Sequence, residues 1–258
     1  LDLKAGYVDS RDDYKTSSDK IHYSGNFISL APFVQDEIVF SDRWSAVAGI
    51  RFDLEQFSKG LLDVKDPTSV TFFTHDVFQQ FRTKTWTSVS PKIAIKYRQS
   101  QAISWYFSAG TGFMPPRLDD LCKSGKVNKG FKLANPELNP EKIISFENGI
   151  TLKYNYLLLQ PSIYFSKGYD FQYFVNTGDS VDTGDGLKPV LQRENIGQVD
   201  IWGGDIQLTL NPFKYLLVKI SATYSHPVVT SYKIDTNTTI DITGKLLSEM
   251  PFVQYFAG

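Results

Sequence analysis

No run of apolar residues approaches the roughly 18 that a membrane-crossing helix needs, so a helical membrane protein is excluded. Cysteine is nearly absent: Cys122 is the only one in 258 residues, which rules out an intrachain disulfide framework and leaves no spaced Cys/His set for zinc. An excess of charge is missing as well. The 27 basic and 28 acidic residues leave a formal net charge of −1, which argues against a nucleic-acid surface. The opening LDLKAGYVDS lacks the basic start and apolar run of a signal peptide and has no initiator Met, so the chain reads as an internal piece of a longer one. None of these absences excludes a membrane β-barrel, whose strands face lipid on one side and polar contents on the other and so average to ordinary hydropathy.

What is present is alternation with a period of two, which puts one set of side chains on each face of a sheet. In WSAVAGIRFDLE, Trp44, Ala46, Ala48, Ile50, Phe52 and Leu54 oppose Ser45, Gly49, Arg51, Asp53 and Glu55. The same rhythm sets Ile93, Ile95 and Tyr97 against Lys92, Lys96 and Arg98, and Phe146, Ile150 and Leu152 against Ser145, Glu147 and Thr151. It recurs over 202–210 and 216–224, and no helical period competes with it anywhere.

The connections alternate in length. Short turns are expected near Ser41-Asp42-Arg43, Gln99-Ser100-Gln101, Asn155-Tyr156 and Asn211-Pro212-Phe213-Lys214. Long polar excursions are expected over 9–26, 58–84, 113–142, 176–194 and 230–248. Strict alternation means consecutive antiparallel hairpins with all turns at one end and all loops at the other. The predicted fold is therefore all-β: an up-and-down transmembrane barrel section of about ten strands, several long enough to cross a bilayer when tilted. A soluble lectin-like or propeller sheet would also alternate, but strands this long and loops this asymmetric do not suit Greek-key connections. Trp44, Phe57, Trp86, Tyr97, Tyr154, Tyr156 and Tyr215 stand near strand ends, where an interfacial aromatic girdle would place them.

Little in the sequence suggests catalysis. Asp36 and Glu37 are strand neighbours pointing to opposite faces and cannot share a proton, and Asp119-Asp120 belongs to a solvated loop. His22, His75 and His226 read as exposed loop residues, with no nucleophile elbow near them. GDSVDTGDG (178–186) is rich in acid and glycine, but it lacks the terminal Glu and the flanking helices of an EF-hand and reads as a flexible acidic loop. No glycine motif cradles phosphate before a helix. The chain is read as a non-enzyme without a cofactor.

The third long loop and its flanks carry a resemblance. Gly112-Phe113-Met114-Pro115-Pro116-Arg117-Leu118-Asp119-Asp120-Leu121, then Asn135-Pro136-Glu137-Leu138-Asn139-Pro140-Glu141, then Glu147-Asn148-Gly149 resemble the "G-F-R-x-P-x-L-x-E-L", "N-P-x-L-x-P-E" and "E-x-G" segments of TonB-dependent outer-membrane receptors. Residues 33–53, 90–97 and 194–208 (ENIGQVDIWGGDIQL) are similar to further family segments in the same order, so the resemblance covers most of 27–258. Met114 stands in place of the usual Arg, Arg117 in place of a small residue, and Asp205 where Glu is commoner.

The resemblance implies a large plugged barrel of about 22 strands, of which 1–258 is a partial barrel domain lacking plug and remaining strands. It implies a bacterial outer-membrane importer of a scarce nutrient, with outer-membrane lipid, a TonB-type energy-coupling protein and a small-molecule ligand such as an iron chelate as partners, and no nucleic acid. A ferric siderophore is the default cargo. Haem is disfavoured because 117–134 contains no His. A passive porin or small closed barrel is the alternative in the membrane, and a soluble glycan-binding sheet protein the alternative outside it. The family-motif positions Gly112, Phe113, Pro115, Leu118, Leu121, Asn135, Pro136, Leu138, Pro140, Glu141, Glu147 and Gly149 are expected to be structural, with Pro115-Pro116 and Pro140 ending one strand and preceding the next.

Overall fold

Alternating segments become consecutive antiparallel strands because each can bury or expose one whole face at a time. A computed structural model describes the chain except at residues 1, 14–19, 68–71, 183–185, 233–240, 248–249 and 258; at 2–13, 20 and 257 only the backbone is described. The elements are β1 (Asp2–Asp13), β2 (Lys20–Ala31), β3 (Phe33–Val39), β4 (Trp44–Lys65), β5 (Val77–Phe81), β6 (Lys84–Arg98), β7 (Ile103–Met114), α1 (Leu118–Cys122), β8 (Gly125–Val127), β9 (Gly130–Leu133), β10 (Glu141–Tyr154), β11 (Leu157–Tyr169), β12 (Gln172–Asp182), β13 (Leu187–Asn195), β14 (Gly197–Phe213), β15 (Leu216–Tyr232) and β16 (Val253–Ala257).

The main sheet runs β1-β2-β4-β6-β7-β10-β11-β14-β15-β16, with β3 and β5 also paired to β4. β3 continues the line of β2 past Pro32, and β5 lies on the line of β6 across Arg82-Thr83. That makes ten successive rows, the number the alternation predicts. Among the described residues β1 and β16 are not paired with each other.

Interior prolines sit where a ladder is interrupted, since proline has no N–H to give. Pairing of β6 with β7 begins only at Lys92, just past Pro91. The β10–β11 ladder skips the rungs next to Pro161, and the β14–β15 register slips between Leu210 and Phe213, around Pro212. The predicted turn at 211–214 is accordingly shorter, with β14 running through Phe213.

Register assigns the faces. Ile95 opposes Phe107, Phe146 opposes Phe165, and Phe165 opposes Trp202, all on one side. The other side carries rungs such as Ser108–Glu147–Tyr164–Gly203–Ser225. The apolar face is bare: Ile163 is 68% exposed and Val89 56%. Asp36 opposes Ala48 and Glu37 opposes Val47, so this acid pair does point to opposite faces.

At the short-turn end, Trp44 packs on Tyr97 with ring centroids 4.5 Å apart, and Tyr154, Tyr156 and Tyr215 are exposed. Two other aromatics expected in this girdle are elsewhere. Phe57 is fully buried on the inner face at the long-loop end, and Trp86 packs against the same cluster.

The long loops differ most from expectation. Much of 9–26, 58–84 and 176–194 is strand, because polar segments beyond the apolar band still pair with one another. The third loop contains a helix, the five-residue α1, where no helical period is legible. A second sheet, β12-β13-β9-β8, joins the third and fourth loops, with β13 parallel to β9. The glycine-acid segment 178–186 is strand through Asp182, and its residues 183–185 lie outside the described ones. His22 is in β2 and His226 in β15, the latter with its ring centroid 4.7 Å from that of Trp202; only His75 is an exposed bend residue.

Candidate functional site: an inward-folded cap and the inner wall

At mid-height the inner face is polar, but at the long-loop end it turns apolar because loops fold in and cover it. Ile21, Tyr23, Phe57, Leu62, Val64 and Phe81 form one core with Leu118, Leu121 and Cys122 of α1 and with Leu138. A second core, Ile196, Val199, Ile201, Val229 and Leu247, covers the inner face of β14 and β15.

Most motif residues support this cap. β7 ends at Met114, opposite Glu141, so the prolines bracket the excursion where the pairing stops. Gly112 faces inward opposite Ile143, Phe113 faces outward opposite Lys142, and Pro115 is half-buried. Leu118 and Leu121 lie in the buried face of α1, and Leu138 and Pro140 are buried too. Asn135, itself buried, donates from Nδ2 to the Arg193 carbonyl (2.9 Å) and accepts at Oδ1 from the Glu137 amide (2.9 Å), closing an Asx turn around the half-buried Pro136. Glu141 accepts from the Gln172 amide at 2.7 Å.

Of the Asp119-Asp120 pair, Asp119 is exposed as expected and Asp120 is not. Asp120 is 5% exposed; its Oδ1 lies 2.7 Å from Lys132 Nζ and 3.3 Å from Arg193 Nε. Both cations also lie over the ring of Phe174, at 5.6 Å for Lys132 and 4.4 Å for Arg193. Asp119 accepts from the Tyr23 hydroxyl at 3.0 Å. α1 is thereby tied to β2 on one side and to the β12–β13 hairpin on the other.

Sequence reasoning does not find Lys132, Phe174 or Arg193, whose roles exist only through this fold. Asn195 was within reach, since it lies in the ENIG segment: its Nδ2 donates to the Asn139 carbonyl (2.9 Å) and its Oδ1 accepts from the Asn139 amide (2.8 Å). Two motif segments that are distant in sequence meet there.

Burial pushes the Cys122 thiol up to about 12. Alkylation by iodoacetamide at neutral pH should therefore be negligible in the folded protein and prompt in urea, read by mass spectrometry. Burial likewise raises the Glu194 carboxyl, opposed by a hydrogen bond with Asn135, whereas hydrogen bonds from Arg82 and Lys84 lower that of the exposed Glu137.

On the wall, Gly149 and Glu147 together seat one tyrosine. A Cβ at Gly149 would come within 2.3 Å of the Tyr106 ring, and the Tyr106 hydroxyl donates to Glu147. Gly203 repeats the arrangement beneath Tyr164, whose hydroxyl is 2.6 Å from Ser225 Oγ. Asp205, one rung along, accepts from Thr223. Gly149→Ala should destabilise the protein by about 1–3 kcal/mol through overpacking, and Tyr106→Ser in the same chain should recover part of it, measured by urea titration in bilayers. Equal losses in the single and double variants would refute the clash.

Between these wall residues lies a hollow of about 590 Å³, lined in part by Lys92, Ser108, Ser145, Glu147, Tyr164 and Asp205. Among the described residues, no group of three His, Cys, Asp or Glu side chains is placed to hold a metal ion.

The family model described as "TonB dependent receptor-like, beta-barrel" matches residues 2–258. No protein of curated function matches the sequence. Among solved structures, the ferric yersiniabactin uptake receptor FyuA of Yersinia pestis is 15% identical with a TM-score of 0.65, over 96% of this chain and 33% of its own. The hemophore receptor HasR of Serratia marcescens, solved as a double mutant with its hemophore HasA and heme, is 14% identical with a TM-score of 0.63, over 86% and 41%. The siderophore receptor PiuA of Acinetobacter baumannii is 16% identical with a TM-score of 0.59, over 92% and 31%. The chain thus spans roughly a third of the length of these structures, and at such identities they share its fold.

Proposed function

The chain belongs to the TonB-dependent receptor β-barrel family, proteins of the outer membrane of Gram-negative bacteria, and from that premise we propose that it is part of the wall and mouth of an energy-coupled importer whose cargo is a ferric siderophore. Short turns then face the periplasm and long loops the exterior. The observation that carries the reading is the inward-folded cap. Loops on a passive wall need only be solvated, whereas here two of them share a sheet, bury an ion-pair network and line the inner side of the mouth. A preformed mouth of this kind lowers the ordering cost of holding a small ligand.

The importer acts by binding and release rather than by chemistry on its cargo. A TonB-type inner-membrane partner would drive the passage, acting through a plug contributed by another part of the protein. A ferric chelate is favoured over haem because neither 117–134 nor the network formed by Asp120, Lys132 and Arg193 contains a histidine. The test is growth under iron limitation. Deleting the gene should abolish growth on one or more ferric siderophores, and disrupting the energy-coupling protein should do the same. Uptake that persists without energy coupling would indicate a passive porin, and growth lost only on haem would overturn the siderophore assignment.

A further inference from the structure

The inner wall is unevenly charged. β6, KTWTSVSPKIAIKYR, contains no acidic residue, and its inward positions include Lys84, Lys92, Lys96 and Arg98, which run from the mouth to the periplasmic rim. Lys84 is bound to Glu137 of the cap at 3.1 Å. Lys92 and Lys96 are exposed and form no ion pair among the described residues, and Arg98 donates to the Asp42 carbonyl.

The neighbouring strands keep this line open. Inward positions of β7 next to it are Ser104, Tyr106, Ser108 and Gly110, and those of β4 are Ser45, Val47 and Gly49. Farther up β4, Arg51 and Asp53 neutralise each other at 2.7 Å. Glu55, also inward on β4, stands opposite Trp86 near the mouth and accepts from the Ser29 hydroxyl, and the remaining inward acids are at least two strands away. Glu147 on β10 is held by Tyr106, and Glu37 on β3 lies at the rim, where it shares a recess of about 210 Å³ with Lys96 and Arg98. The hollow of about 590 Å³ has Lys92 on its β6 side.

We infer that the inward face of β6 is a basic track for anionic cargo, along which Lys92, Lys96 and Arg98 receive a negatively charged iron chelate after it leaves the mouth. The inference rests on the importer reading and adds the sign of the cargo and its route. Spacing along the strand, about 3.4 Å per residue, keeps a wall-bound anion within roughly one Debye length, about 8 Å, of a cation from Lys92 to Arg98. Gly110 and Gly49 on either side of Lys92 let a bulky chelate approach its head, while Lys96 is flanked by Ser45 and Tyr106.

The experiment uses the full-length receptor in cells, with two radio-iron probes: a ferric tricatecholate, which is anionic, and an uncharged ferric trihydroxamate. Surface binding is measured in de-energised cells and uptake in energised ones. Lys92→Glu/Lys96→Glu should leave surface binding of the tricatecholate within about twofold and lower its uptake about tenfold or more. Gln at both positions should fall between, and Arg should restore uptake. The expected result is this graded, charge-dependent loss for the anion alone. Equal loss for both probes would overturn the track and indicate that the lysines dock an acidic face of the plug, and unchanged tricatecholate uptake in the Glu variant would overturn it outright. If the wild type shows no energy-coupled uptake of the tricatecholate, the anionic-cargo assignment fails and the track falls with it, whereas the importer reading stands or falls on the iron-limited growth test.

Discussion

Asp120→Ala should release the cap from the wall. The carboxylate is the counter-charge for two cations, one of which, Lys132, is only 6% exposed, and removing it leaves both beside Phe174 with no acid at ion-pair distance among the described residues. Breaking one side of a buried ion pair typically costs about 3–5 kcal/mol, because the remaining charge stays desolvated. The loss should be local. The ten-row sheet has its own ladders, whereas β9 and the β12–β13 hairpin are held to α1 by this network, beside bonds from the Asn135 amide to the Asp120 carbonyl and from Lys132 to the Asp119 carbonyl. Hydrogen exchange should therefore accelerate over 125–133 and 172–195 with little change in β10 or β11. Asp120→Asn, which keeps the shape and loses the charge, should show most of the effect. Adding Lys132→Met to Asp120→Leu should recover part of it, since replacing a pair by apolar groups is far cheaper than orphaning one member. Unchanged exchange in the Ala variant would mean that the network does not hold the cap.

Ligand capture should suffer in the same variant, because a cap that must be ordered on binding weakens apparent affinity by the fraction of time it is out of place. This links the buried pair to the proposed function without making Asp120 a ligand contact.

How much of this could be read beforehand depends on distance along the chain. Alternation at 44–54, 93–98 and 202–210 is a local property, and the faces it predicts match the register. Phe57 and Trp86 misled because an aromatic near a strand end looks the same whether it meets lipid or a loop folded in from 118–138. The loops at 58–84 and 176–194 read as irregular because polar composition was the only cue, yet β5 and the β12–β13 hairpin need only a paired neighbour, not an apolar face. Asp120 looked solvated for the same reason: Lys132 is near in sequence but gives no pattern with it, and Arg193 lies on a different loop. The motif segments were visible as letters. That Asn139 and Asn195 would bond to each other was not.

Ile163→Arg and Ser162→Arg should differ sharply although the residues are adjacent. Ile163 faces outward between Pro161 and Phe165 along β11, opposite Asn148 and Gly204, and is 68% exposed, while Ser162 faces inward opposite Gly149 and Asp205. At about 2.5 Å of height per residue for a tilted strand, Ile163 sits about 15 Å above the start of β11, near the middle of the apolar band. An arginine on the lipid face there costs about 2–4 kcal/mol, whereas on the inner side it meets water and the Asp205 carboxylate. Urea titration of the full-length protein in bilayers should show the loss for Ile163→Arg only. On a soluble sheet the order would invert: an exposed isoleucine exchanged for arginine would be nearly neutral or improve solubility, and Ser162 would be the sensitive position. The sign of the difference therefore reports which face meets lipid, independently of cargo, cap or plug, and equal effects at both positions would contradict the face assignment on which the inner-wall track depends.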